Sequence, residues 1–339
     1  VPAARPRTAA ARLRRAALGL LALLFGATNL VVYHHARGMV VLVDGAPPPP
    51  HLSALTDGEK LKLVLLGATL ARPQPKRSPA DFGLTAQEVQ IPPIDGPPLR
   101  ADLVVADGGV GTLILLHGYL GARDQLLPVA AWAQGQGWSS LLVDQRGSGE
   151  SGGDRTSIGR LEAYDAAAAV AWARANRPGP VVIYGFSMGA AAAIGAVARA
   201  GAQPDGLVLE GCYADLREAV GWRVALMGLP ERPLSEWLGV WGSVVLGANL
   251  LAQSPEEDAR RVHVPTLLLH GADDPRAPAD HGRRIEAGLQ GPRRLVVLPD
   301  TGHQLGVDHA PAPWAAAVAA LLEQASAGRG PGAAAVAPP

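Results

Sequence analysis

From residue 112 onward the chain alternates short, continuous apolar runs with longer segments of helical spacing. The runs fall at 113–117, 139–144, 181–184, 207–210, 265–270 and 294–298, and the helical segments at 125–136, 160–175, 188–199, 280–289 and 313–324. A strand apolar at every position is buried on both faces, so the alternation predicts a mostly parallel sheet with helices on both sides. Ahead of it, 89–93 and 99–105, joined through Asp95-Gly96, predict an antiparallel hairpin at a sheet edge, where prolines are tolerated.

The N-terminal pattern is of another kind. Residues 16–33 carry no charge, and Arg5, Arg7, Arg12, Arg14 and Arg15 precede them. Eighteen uncharged residues suffice to cross a bilayer core with help at the ends. The expected organisation is a basic segment over 1–15, a transmembrane signal anchor over 16–35, a linker or juxtamembrane segment over 36–86, a catalytic domain over 87–325 and a disordered tail over 326–339. A cleaved signal peptide and a buried soluble helix are the alternatives for 16–35. Within the domain, 215–259 breaks the alternation. With Trp222, Trp237 and Trp241 among apolar residues, it is expected to form a lid over the carboxyl edge of the sheet, making an apolar acyl pocket, or else to be ordinary core helix.

Composition narrows the partners. A formal net charge of zero gives no electrostatic footprint for nucleic acid. The single cysteine, Cys212, excludes an intrachain disulfide. The spacing of His34 and His35 suggests no metal site, and no cofactor motif is present.

The chemistry sits at the ends of the apolar runs. Gly185-Phe186-Ser187-Met188-Gly189 joins a strand to a helix, a turn that lifts a serine hydroxyl above the sheet with a helix N-terminus beneath it. Downstream, one strand ends in Gly271-Ala272-Asp273-Asp274 and the next is followed by Gly302-His303. The order serine, acid, histidine, each after its own strand, suits a nucleophile activated by a base that an acid orients. Upstream, 113–116 leads into His117-Gly118-Tyr119.

Together with Asp144-Gln-Arg-Gly-Ser-Gly-Glu-Ser-Gly and Pro278, these residues resemble the α/β-hydrolase superfamily over about 87–324. Within it, the chain resembles the membrane-anchored serine hydrolases with one N-terminal anchor. The resemblance implies an α/β-hydrolase fold and cleavage of esters, thioesters or sometimes amides. It implies Ser187 as nucleophile, His303 as base and Asp274 as acid, with Glu210 as runner-up for the acid. It places the oxyanion hole at the amides of Tyr119 and Met188, with Leu120 as the alternative to Tyr119. No cofactor or metal is implied. The expected partners are a small-molecule or lipid ester and, through the N-terminal helix, a membrane. An acyltransferase, a peptidase and an inactive binding protein on the same fold are the other readings. The loop 144–153, His270 and Cys212 read as structural.

Overall fold

The computed structural model describes residues 9–47, 56–226 and 228–327. Ten strands, eleven α-helices and three short 3-10 helices occur among them. The central sheet has eight strands in the order β3 (Ala86–Ile91), β4 (Leu99–Val104), β6 (Trp138–Asp144), β5 (Gly111–Leu116), β7 (Val181–Phe186), β8 (Gly206–Glu210), β9 (Thr266–Gly271), β10 (Arg293–Leu298). Only β4 runs against the rest, pairing antiparallel with both β3 and β6. The expected hairpin is therefore the edge of one continuous sheet. Short β1 (Leu42–Val43) and β2 (Leu70–Ala71) pair separately.

Alternation within the buried strands divides the core in two. Ile114, Leu116 and Ile183 face α4 (Glu162–Asn176) and α5 (Met188–Ala198), whereas Leu113, Leu115 and Tyr184 face α3 (Leu127–Gly135) and α11 (Pro311–Ala327). In α5 the run of alanines and glycines lets the helix lie close on the sheet below Ser187. After β5 the chain steps one way to β6, then returns past β5 to β7. The loops after β5 and β7 thus diverge at a switch point, where open α/β sheets place their ligands.

Outside the sheet the structure departs from the expected organisation. Helix α1 runs over Ala9–Val40, beyond the expected 16–35. Its first two thirds expose Leu13, Leu21, Leu24 and Phe25, and its last turns bury Val32, Ala36 and Val40. It is long and apolar enough to cross a membrane. The described part of 36–86 is not a free linker. Arg72 donates to the carbonyls of Gly149, Ser151 and Gly153, and the amides of Lys76 and Arg77 donate to Asp124. Loop carbonyls that lack a secondary-structure partner need such donors, so the segment is strapped to the domain. Helix α2 (Asp57–Leu66) lies beside α1, with His35 Nε2 2.7 Å from the Val64 carbonyl.

The segment 215–259 is largely helical, with α6 (Leu216–Leu226), α7 (Glu231–Leu246) and α8 (Pro255–Ala259). Of its three tryptophans, only Trp222 faces the pocket described below. Trp237 packs on Phe25 with ring centroids 6.0 Å apart, and Trp241 on Tyr33 at 5.5 Å, its indole donating to Asn29 Oδ1 at 3.2 Å. The three-tryptophan lid is corrected to one, because α1 offers the other two an apolar face. The expected tail starts inside α11, which runs to Ala327, and the remainder lies outside the described residues.

Candidate active site

Ser187 lies between β7 and α5 with φ of 52° and ψ of −110°. A side chain with positive φ is strained, and such strain persists only where the surroundings fix it. Here they do. The Ser187 amide donates to the Glu210 carbonyl on β8 at 2.7 Å. A Cβ at Gly185 would overlap the Gly189 backbone, and one at Gly189 would overlap the Leu116 carbonyl. The turn closes only because both positions lack a side chain.

The strand ends bring the other two residues to it. His303, in the loop after β10, sets Nε2 3.0 Å from Ser187 Oγ. Its Nδ1 lies 2.7 Å from Asp274 Oδ2, in the loop after β9. Asp274 Oδ1 accepts from the amides of Arg276 at 2.8 Å and Ala277 at 3.0 Å. Burial opposes the Asp274 charge, but the bonds from His303, Ala277 and Arg276 outweigh it and hold the carboxyl below its ordinary range. The imidazole packs against the Phe186 ring at 5.2 Å.

The alternative acids lie elsewhere. Glu210 accepts from Tyr184 Oη and from the Gly306 amide, and burial raises its carboxyl to about 7. Asp273 is exposed and makes no side-chain bond among the described residues. His270 is buried with Nδ1 3.1 Å from the Ala277 carbonyl, and burial lowers it to about 4. Cys212 is buried, which pushes its thiol up. Asp144 receives the Arg123 and Glu150 amides, and Ser151 Oγ donates to the Asp144 carbonyl at 2.5 Å.

Two backbone amides lie at the ends of the strands on either side of the switch. Met188 opens α5, where an amide has no intrahelical acceptor. The Tyr119 amide makes no hydrogen bond among the described residues, while its neighbour Gly118 donates to Gln125 Oε1 at 2.8 Å. The Tyr119 side chain reaches away to donate to the Met39 carbonyl of α1 at 2.7 Å.

These groups line a cavity of about 180 Å³. Sheet loops give Tyr119, Ser187, Met188 and His303; α6 gives Leu216, Ala219, Val220, Trp222 and Arg223; the acid loop gives Arg276; and α1 gives Met39. Sequence reading missed Met39 and both arginines. Arg276 sits between Asp274 and Pro278, so its loop was legible, whereas nothing in the local pattern ties Met39 to residues nearly 150 positions away.

Comparison with known proteins bears on the fold. The serine aminopeptidase S33 family matches residues 109–246. An esterase from Pyrococcus furiosus superposes with a TM-score of 0.62 at 23% identity, covering 75% of this chain and 96% of that one. The chain has the α/β-hydrolase fold. It is 33% identical over 202 residues to an uncharacterized protein of Mycobacterium tuberculosis, covering 58% of this chain. That match spans 64% of the mycobacterial protein, just under two thirds of its length. It is also 27% identical over 179 residues to the Danio rerio lysophosphatidylserine lipase ABHD12, covering 51% of this chain and 46% of that protein.

Proposed function

We propose that this chain is a membrane-tethered serine hydrolase that cleaves carboxylic esters, including lipid or thioesters, through an acyl-enzyme. The observation that carries the reading is a strained serine whose Oγ lies 3.0 Å from an imidazole held 2.7 Å from a buried carboxylate. In this mechanism Ser187 Oγ attacks the acyl carbonyl and gives its proton to His303 Nε2. Asp274 fixes the tautomer that leaves Nε2 free to accept, and stabilises the imidazolium. The tetrahedral oxygen gains negative charge and is held by the amides of Met188 and Tyr119, each such donor commonly supplying roughly 10²–10³ in rate. Collapse expels the alcohol, which takes the proton from His303. A water attacks the acyl-serine by the same steps, releasing the carboxylic acid and restoring Ser187.

An aminopeptidase reading follows from the description of the matched family. Such an enzyme must hold the free ammonium of its substrate, which calls for a carboxylate in the pocket. Among the described residues, those lining the cavity include two arginines and no aspartate or glutamate. The sign of charge favours the ester reading.

The tether fits α1, and five arginines ahead of its uncharged stretch 16–33 against Arg37 after it favour a cytoplasmic N-terminus with the catalytic domain across the membrane. Labelling of the full chain by a fluorophosphonate, abolished by Ser187→Ala, tests the chemistry. Labelling that persists in that variant overturns it. A C-terminal reporter active only in the cytoplasm reverses the orientation.

A further inference from the structure

Arg223 and Arg276 reach the cavity from different elements, one from α6 and the other from the acid loop. Neither forms an ion pair among the described residues, although most arginines of the domain are matched to carboxylates, as Arg123, Arg146 and Arg284 are. Each is instead laid over an aromatic ring. The Arg223 guanidinium sits 4.6 Å from the Tyr119 ring centroid and that of Arg276 5.5 Å from the Trp222 centroid. Stacking fixes a guanidinium by its face and leaves the in-plane N–H edge free to donate. Two such guanidinium groups, neither ion-paired among the described residues, line the cavity that holds Ser187.

We propose that Arg223 and Arg276 are specificity-determining residues that select esters carrying a negatively charged group, phosphate or carboxylate, beside the scissile bond. The proposal rests on the ester-hydrolase reading and refines the expectation of a purely apolar pocket. The acyl chain lies against Leu216, Val220 and Met39, and the anion is held by the two guanidinium edges. Partial exclusion of water by Trp222 and Tyr119 strengthens both bonds relative to bulk solvent.

The test uses the full chain in detergent and three esters sharing one lauroyl chain: those of glycerol, of glycerol phosphate and of lactate. The wild type is expected to show kcat/KM for both anionic esters at least roughly tenfold above that for the glycerol ester, the effect of about one charge-assisted hydrogen bond in all. In Arg223→Gln/Arg276→Gln the ratio should fall to near one. In Arg223→Lys/Arg276→Lys part of it should return, since the charge stays but the planar fork is lost. A preference for the phosphate ester alone identifies a phosphate group, and equal preference for the lactate ester identifies any anion. Equal rates on all three esters, or a ratio that the Gln pair leaves unchanged, overturn the proposal.

A second readout is independent of turnover. Ser187→Ala should bind a non-hydrolysable alkyl ether of glycerol phosphate more tightly than the matching glycerol ether, and the added Gln pair should erase that difference. If the wild type hydrolyses nothing while this difference holds, the hydrolase reading fails and the anion site stands. If it hydrolyses esters without charge preference, the reverse is true.

Discussion

The sheet edge and the helical cover build one pocket by different means. At the edge, Ser187, Asp274 and His303 each follow a strand, and the parallel register sets their spacing before any side chain acts. Their bonds are short, and a Cβ at Gly185 or Gly189 would destroy the turn. The cover is assembled from α6, α7 and the end of α1, whose contacts join residues about 200 positions apart, as Trp241 does with Asn29. Side-chain packing, with few fixed hydrogen bonds, holds those helices. On the proposed function the edge carries the chemistry and should tolerate almost nothing, while the cover should select what enters and tolerate graded change.

The largest effects should come from the edge. Ser187→Ala and His303→Ala should each lower ester turnover by roughly 10³ or more, because the triad acts as a unit. Retained turnover by both purified variants would falsify the serine mechanism. Next, Asp274→Asn should cost about 10²–10⁴ in kcat, since the neutral amide favours the wrong imidazole tautomer. Asp273→Asn, at an exposed position, should stay within about threefold. Equal losses would erase the distinction between the two acids.

The cover should respond by degrees. With esters of rising acyl length, kcat/KM should climb from acetyl to medium chains, each buried methylene adding up to about 0.8 kcal/mol. Trp222→Ala and Met39→Ala should flatten that slope, whereas Trp237→Ala and Trp241→Ala should leave it and instead lower the melting temperature. Aromatic pairs of that kind are worth about 0.5–1.5 kcal/mol. A flat wild-type profile untouched by Trp222→Ala would remove the cover from substrate selection.

The smallest effect concerns pH. Burial raises Glu210 to about 7 from an ordinary 4.5, so the folded protein keeps a proton that the unfolded chain releases. Its contribution to stability is complete below the ordinary value and is lost as pH rises through about 7. Asp165, raised to about 6 by burial despite Arg146, acts in the same direction. Thermal stability should therefore decline between about pH 5 and pH 7.5, and Glu210→Gln should make the decline shallower. An unchanged slope would show that Glu210 does not titrate there.

The same contrast explains what could be read in the chain. Strand 181–186, the serine turn and the two acid- and histidine-bearing loops follow from local rules, namely apolar runs, glycines at forced positions and chain order. They are legible because each rule acts over a few residues. The end of α1 was not legible at 35, because nothing local distinguishes a helix that leaves a membrane from one that continues into a core through Ala36 and Val40. The destination of Trp237 and Trp241 was hidden for the same reason. Nothing in the local pattern singles out Arg223, and only the fold shows it laid over the Tyr119 ring.

The bond from Tyr119 to the Met39 carbonyl has a practical meaning for anyone preparing this protein. If the chain is tethered as proposed, the usual way to obtain it in water would be to discard the apolar part of α1. Here that helix is also masonry. Its final turn places Met39 in the cavity lining, and the Met39 carbonyl holds the Tyr119 side chain of the loop after β5. A fragment cut after Val40 would keep every residue of the triad yet present an open, wetter pocket and an unbraced tyrosine. Low activity in such a fragment would describe the cut rather than the enzyme. Detergent or a lipid disc around the whole chain is the medium in which its rates and preferences have meaning.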